Sequence, residues 1–138
     1  LLPTRGGNPR LTQFAVGYAK DRGAAIFVLF VREVALAFRE RGGGMASEGM
    51  TLENDPEARK IMDETRTLAE AEGVPITPIY VVNDSPAEMI LDHAATLGVD
   101  AVLMGVSRRG AVWRTLRGDV IEEVVRHLPQ NIPLLIHA

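Results

Sequence analysis

A five-stranded, doubly wound parallel α/β sheet with helices on both faces, Rossmann-like, is the fold class that three features of the sequence predict. Apolar runs with the composition of strands alternate along the chain with segments of helical period. One run, Ala24 to Val34, is apolar at most successive positions and rich in Val, Ile and Phe, as a strand covered on both faces of a parallel sheet must be. The third feature is the stretch from Asp100 to Ile121: an apolar run carries Gly105 near its end, a basic loop follows, and Gly118 opens an amphipathic segment. That order is strand, loop and helix N-terminus. Ligands of α/β sheets sit at such places, because backbone N–H groups and the positive end of the helix dipole converge there and suit phosphate or another anion.

Taken in order, Leu1-Leu2-Pro3-Thr4 is a short strand, since Pro3 cannot continue a central ladder and the turn-rich Arg5-Gly6-Gly7-Asn8 follows at once. Asn8 is a good N-cap and Pro9 suits the first helical position. Leu11, Phe14, Ala15 and Tyr18 then recur on one face until Gly23 ends the helix. After the strand at 24–34, Arg39-Glu40-Arg41 is charged and Gly42-Gly43-Gly44 flexible, which predicts a mobile crossover around 39–54. Asp55-Pro56 starts the next helix, with Ile61, Met62, Thr65, Leu68 and Ala69 as its inner stripe up to Gly73. Ile76 to Val82 is a strand. Ser85-Pro86-Ala87-Glu88 forms a capping box, and Met89, Ile90, His93, Ala94 and Leu97 face inward before Gly98. Ala101 to Val106 is the fourth strand, Asp119 to Leu128 the last helix and Ile132 to His137 the last strand.

A chain of 138 residues is one domain, able to bury about two-thirds of its unfolded surface in a single core. With 46% apolar and 24% charged residues it falls in the ordinary globular class. A formal charge of -3 gives no electrostatic reason for a nucleic-acid partner. The absence of cysteine excludes disulfides and thiolate chemistry and fits a reducing cytoplasm. The longest apolar run, Ala24 to Val31, is far shorter than the roughly 20 residues of a membrane helix, so no direct membrane insertion is expected. The chain opens on Leu1 without a signal-peptide pattern, and the natural protein is expected to extend upstream.

With this order in place, the sequence resembles the universal stress protein family across essentially its whole length. The resemblance rests on the five-stranded order, on the opening strand Leu2-Pro3-Thr4, and above all on the loop after the fourth strand. ATP-binding members carry Gly-x2-Gly-x9-Gly-Ser/Thr there, and Gly105 and Gly118 fall at the first and third glycines without a gap. By this resemblance the nucleotide site comprises Pro3, Thr4 and Arg5, then Val31, then Gly105, Ser107, Arg108, Arg109 and Gly110, and finally Gly118, Asp119 and Val120. The wording from Ser107 to Asp119 also resembles the stress-protein-type cytosolic domains fused to amino-acid permeases.

Three positions depart from the binding pattern: Arg108 replaces the second glycine, Asp119 the Ser/Thr, and Arg5 the aspartate common at the end of the first strand. Arg108 puts a bulky side chain where phosphate approaches the backbone. Asp119 puts a carboxylate at the helix N-terminus, where it repels phosphate; with Glu122 it forms a capping box worth roughly 1 kcal/mol. Arg108, Arg109, Arg114 and Arg117 pull the other way, since guanidinium forks bind phosphate. Trp113, the single Trp, either packs as a lid or docks against a partner.

No phosphate loop of the Gly-x4-Gly-Lys type, no Gly-x-Gly-x2-Gly and no His-x-Gly-His is present, and no His/Asp/Glu group has metal spacing. His93 is placed as a packed or rim residue, and His127 as a residue favoured by the helix dipole. The expectation is therefore a non-catalytic cytoplasmic regulatory or interaction domain with a degenerate nucleotide site, attached to an amino-acid transporter at the cytosolic face of the inner membrane. No cofactor is expected. The alternative is an ATP- or AMP-binding stress-response switch with slow or no hydrolysis. The final strand, with Ile132, Leu134, Leu135 and Ile136, is expected to form a homodimer edge, because an exposed apolar edge otherwise invites aggregation.

Overall fold

The first three helices each open on a proline behind a polar residue, so each has a fixed entry and a known direction of departure from its preceding strand. The computed structural model describes residues 1–5, 8–33, 50–106, 114–115 and 118–137. In order these form β1 (Leu2–Pro3), α1 (Pro9–Arg22), β2 (Ile26–Arg32), α2 (Pro56–Ala71), β3 (Ile76–Val82), α3 (Pro86–Leu97) and β4 (Val102–Gly105). Two short strands, β5 (Arg114–Thr115) and β6 (Gly118–Asp119), precede α4 (Val120–His127) and β7 (Leu134–His137).

β1, β2 and β3 pair in parallel, with Leu2 opposite Val28 and Ile26 opposite Ile76, and β4 pairs in parallel with β7, Val102 opposite Leu134. The two blocks meet at Leu1, whose nitrogen donates to Ala101 O at 2.8 Å and whose carbonyl accepts from Leu103 N at 2.9 Å. The spatial order is therefore β3-β2-β1-β4-β7. The chain runs outward on one side of β1 and outward again on the other, so the order reverses between β1 and β4.

Alternation along the central strands sorts the core into two layers. Val28, Phe30 and Leu103 pack with Leu11, Ala15, Ile61 and Met62 beneath α1 and α2. Leu29, Val31, Val102 and Met104 pack with Ile90, Ala94, Val120 and Val124 beneath α3 and α4. This is the expected sheet with helices on both faces. Leu29, Ile90 and Val102 are fully enclosed, and burying a side chain of that size contributes about 1.5–3 kcal/mol.

Two expected caps form as anticipated: Asn8 Oδ1 accepts from Leu11 N at 3.1 Å, and Asp55 Oδ1 from Ala58 N at 3.1 Å. Ser85 differs from its expected role. It is buried and makes no side-chain cap bond; its own N–H donates to Asn83 Oδ1 at 2.7 Å, so the asparagine side chain sets the turn before α3. Phe14 and Leu97, expected to face inward, are each 37% exposed. The inner stripe of α1 is Leu11, Ala15, Val16 and Ala19, rotated away from Phe14, whose ring instead lies 4.9 Å from that of His137. The β5–β6 pair was not foreseen within the loop. Most of the expected crossover at 39–54 lies outside the described residues. Its end is a turn in which Asn54 N donates to Thr51 O and Thr51 N to Asn54 Oδ1, at 3.2 and 2.7 Å. Among the described residues no helix is long and apolar enough to cross a membrane.

Candidate functional site

The carboxyl ends of β1, β2 and β4 lie side by side, which brings together Pro3, Thr4, Val31 and Gly105 at the point where the strand order reverses. Pro3 is buried opposite Leu29, where the missing N–H costs little, because Thr4 N resumes the ladder by donating to Leu29 O at 2.9 Å. Arg5 is exposed and lies 4.0 Å from the Glu33 carboxylate, so a cation stands where the family resemblance implies aspartate. Val31, Met104 and Val120 share one apolar cluster, which seats the first turn of α4 beneath the ends of β2 and β4. Ser107, Arg108, Arg109, Gly110 and Trp113 lie outside the described residues.

Gly105 is a glycine for a packing reason visible in the structure. A Cβ there would stand 2.7 Å from Asn8 Nδ2 and 3.0 Å from Leu11 Cδ2, so a side chain would have to displace the Asn8 amide and the Leu11 methyl. Its backbone does not need positive φ, since among the described glycines only Gly23, Gly73 and Gly98 adopt it. The adjacent Val106 N donates to His137 O at 3.1 Å, which holds the exit of β4 to β7.

At the far side of the loop, Gly118 and Asp119 form β6, and Asp119 caps α4. Its Oδ1 accepts from Glu122 N at 3.2 Å, so the protein's own carboxylate takes an N–H that a bound anion would otherwise receive. The reciprocal half of the expected capping box is replaced, because Glu122 Oε1 accepts from Arg126 at 2.8 Å, one turn further on.

A second polar group, at the ends of β2 and β3, escaped sequence reasoning. Arg32 donates from Nε and Nη2 to the two Asp55 oxygens at 2.8 and 2.9 Å, and the Tyr80 hydroxyl donates to Asp55 Oδ2 at 2.7 Å. Arg32 also reaches Glu57 at 3.3 Å and lies over the Phe30 ring, which stacks on Tyr80 at 5.8 Å. Burial pushes the Asp55 carboxyl up, but hydrogen bonds from Arg32, Tyr80 and Ala58 N, with the Arg32 charge, together hold it below its ordinary value. Burial first, then the bond to Asp55, raises Tyr80 to about 12, and the Asp55 bond raises Arg32 as well. Asp55 was legible as an N-cap only; neither Arg32 nor Tyr80 carries a sequence signal, since their partner is 23 and 25 residues away. Among the described residues no group of three or more His, Asp or Glu side chains is placed to hold a metal ion.

A parallel sheet whose strand order reverses between β1 and β4, with a glycine at one strand end and a helix start opposite, defines an α/β protein of the Rossmann-like class. Within that class the chain belongs to the universal stress protein family, which matches it over residues 6–136. A universal stress protein of Methanocaldococcus jannaschii is 25% identical over 140 residues, covering 99% of this chain and 79% of the relative. A universal stress protein solved in complex with cAMP superposes with a TM-score of 0.67 at 19% identity, over 99% of this chain and 92% of that one. The universal stress protein of Archaeoglobus fulgidus in complex with dAMP does so with a TM-score of 0.65 at 21% identity, over 98% of this chain and 93% of that one. The fold is common to all three; the nucleotides are those proteins' own.

Proposed function

We propose that the protein is a non-catalytic regulatory domain of the universal stress protein type, whose strand-end crevice takes an adenine mononucleotide in preference to ATP. The observation that carries this reading is the Asp119 carboxylate on Glu122 N. A triphosphate laid from Gly105 towards α4 would meet that fixed negative charge, whereas a single phosphate can stop short of it. Two structural relatives were solved with cAMP and with dAMP, which supports an adenine mononucleotide as the kind of ligand.

Calorimetric titration of the whole chain with AMP, and with ATP plus magnesium, tests the reading. AMP is expected to bind at least about tenfold more tightly, a difference of about 1.4 kcal/mol, and Asp119→Ser to narrow the gap. Equal affinity for the two nucleotides in the wild type, or no binding of either, overturns it.

The same proposal places the protein in the cytoplasm as a homodimer. In support, β7 pairs with β4 on one side, Leu134 and Leu135 are half-buried and Ile136 is 49% exposed. Ile132 stands apart from that edge: it precedes the strand and is buried against the α3–α4 layer. Sedimentation should show a dimer at tens of micromolar that Ile136→Lys dissociates; a monomeric wild type sinks the idea. A link to an amino-acid permease rests on the wording of residues 107–119 alone, and a full-length chain carrying a transporter segment upstream is what would support it.

A further inference from the structure

A cleft of about 470 Å³ lies between α1 and α2, beside the strand ends, and its described lining joins Thr4, after β1, to side chains of the two helices. Its size falls within the range of small-ligand pockets. Ile61 and Leu68 give it an apolar floor, and its polar wall includes Thr12, Glu64, Thr65 and Thr67.

The hydrogen-bonding character of that wall is one-sided. A threonine hydroxyl has one proton and two lone pairs, and in Thr12, Thr65 and Thr67, three of the four lining threonines, the proton is already committed to the carbonyl four residues earlier. Thr12 Oγ1 donates to Asn8 O at 3.4 Å, Thr65 Oγ1 to Ile61 O at 2.8 Å and Thr67 Oγ1 to Asp63 O at 2.9 Å. What these hydroxyls offer a ligand is lone pairs. Glu64 adds a carboxylate, which accepts only. Among the described residues at the α1 end, Pro9 has no N–H, and those of Leu11 and Thr12 are taken by Asn8 Oδ1 and Asn8 O. The Asn8 amide, with its oxygen fixed by the cap, turns Nδ2 towards Gly105.

An acceptor-rich wall over an apolar floor repels phosphate and carboxylate, and it leaves a neutral hydroxyl with less to gain than a group that brings several donors and a positive charge. We propose that this cleft is a binding site for a primary ammonium group carried on a short apolar body, with Glu64 as the charge partner and the threonine hydroxyls as acceptors. The site adjoins the strand ends at Thr4, while its charge partner and the three acceptor hydroxyls stand on α1 and α2.

The test uses the whole chain and three probes of one size, n-butylammonium, n-butanol and butyrate, followed by amide chemical shifts. Butylammonium is expected to saturate in the millimolar range with shifts at Thr12, Glu64 and Thr65; butanol should bind about tenfold more weakly and butyrate not at all. Glu64→Gln, a surface change, should weaken butylammonium about tenfold. Thr12→Val should weaken it about threefold, with a thermal melt confirming that each variant folds. Equal binding of butanol, an unchanged affinity in Glu64→Gln, shifts confined to other residues, or no saturation by butylammonium each overturns the proposal. No arm contains a nucleotide, so the outcome is independent of what the strand-end crevice binds.

Discussion

Asp55 and Asp119 do the same local job in different surroundings, and the contrast separates scaffold from site. Each stands immediately before a helix and accepts a hydrogen bond from the N–H three residues on, at 3.1 and 3.2 Å. Asp55 is 3% exposed and also receives two bonds from Arg32 and one from Tyr80, so its lone pairs are spent on the protein. Asp119 is half-buried at the start of α4, and the proposed function sets its charge beside the bound phosphate. A cap with saturated oxygens tells where the chain is held. Under the proposed function, the cap at Asp119 is the one whose charge selects a ligand.

The largest expected effect tests the closed member of the pair. Asp55→Ala removes a cap and leaves the Arg32 guanidinium, with its side chain only 23% exposed, beside Glu57 alone. We expect a loss of roughly 3 kcal/mol in urea unfolding, at the low end for breaking a buried pair because Arg32 keeps some access to water. A loss below about 1 kcal/mol would mean that Glu57 replaces Asp55, and the contrast with Asp119 would collapse.

The same cluster makes stability depend on pH at both extremes. Asp55 is held below its unfolded value, so its contribution is present above about pH 4 and disappears as pH falls through the folded value. Tyr80 is raised from 10.0 to about 12, so its contribution is complete below pH 10 and lost as pH rises towards 12. Tyr80→Phe keeps the stack on Phe30 and removes a bond to a charged acceptor, for an expected loss of about 1.5 kcal/mol at neutral pH. Urea melts of the two proteins across pH 9 to 12 should converge as Tyr80 ionises; parallel curves would show that the hydroxyl does not matter to the fold.

How far the sequence reached follows from the range of each interaction. The five parallel strands, the helices on both faces and the caps at Asn8, Asp55 and Asp119 were legible, because apolar period and capping act within a few residues. The glycine frame of Gly105 and Gly118 was legible as spacing, but the packing reason for Gly105 was not. That reason is Asn8 and Leu11, which are distant in sequence and reach it only after α1 folds across β4. Arg32 and Tyr80 looked like ordinary strand residues, since nothing local says that both converge on Asp55. Phe14 and Leu97 were assigned inward by period alone, and a small rotation of each helix about its axis put them at the rim.

The smallest expected effect on stability belongs to Asp119, and it sharpens the contrast most. Serine is as good an N-cap as aspartate, because one side-chain oxygen is enough to accept from Glu122 N. Asp119→Ser should therefore change unfolding free energy by no more than a few tenths of a kcal/mol, while Asp119→Ala, which removes the acceptor, costs about 1 kcal/mol. What serine does remove is the negative charge at the start of α4, where the helix dipole and the free N–H groups favour an anion. Titration with inorganic pyrophosphate should accordingly show tighter binding in Asp119→Ser than in the wild type, and the gain should shrink as salt is raised. If serine and wild type bind pyrophosphate alike, Asp119 is a cap of the same kind as Asp55, and the rim of the crevice owes its selectivity to other residues.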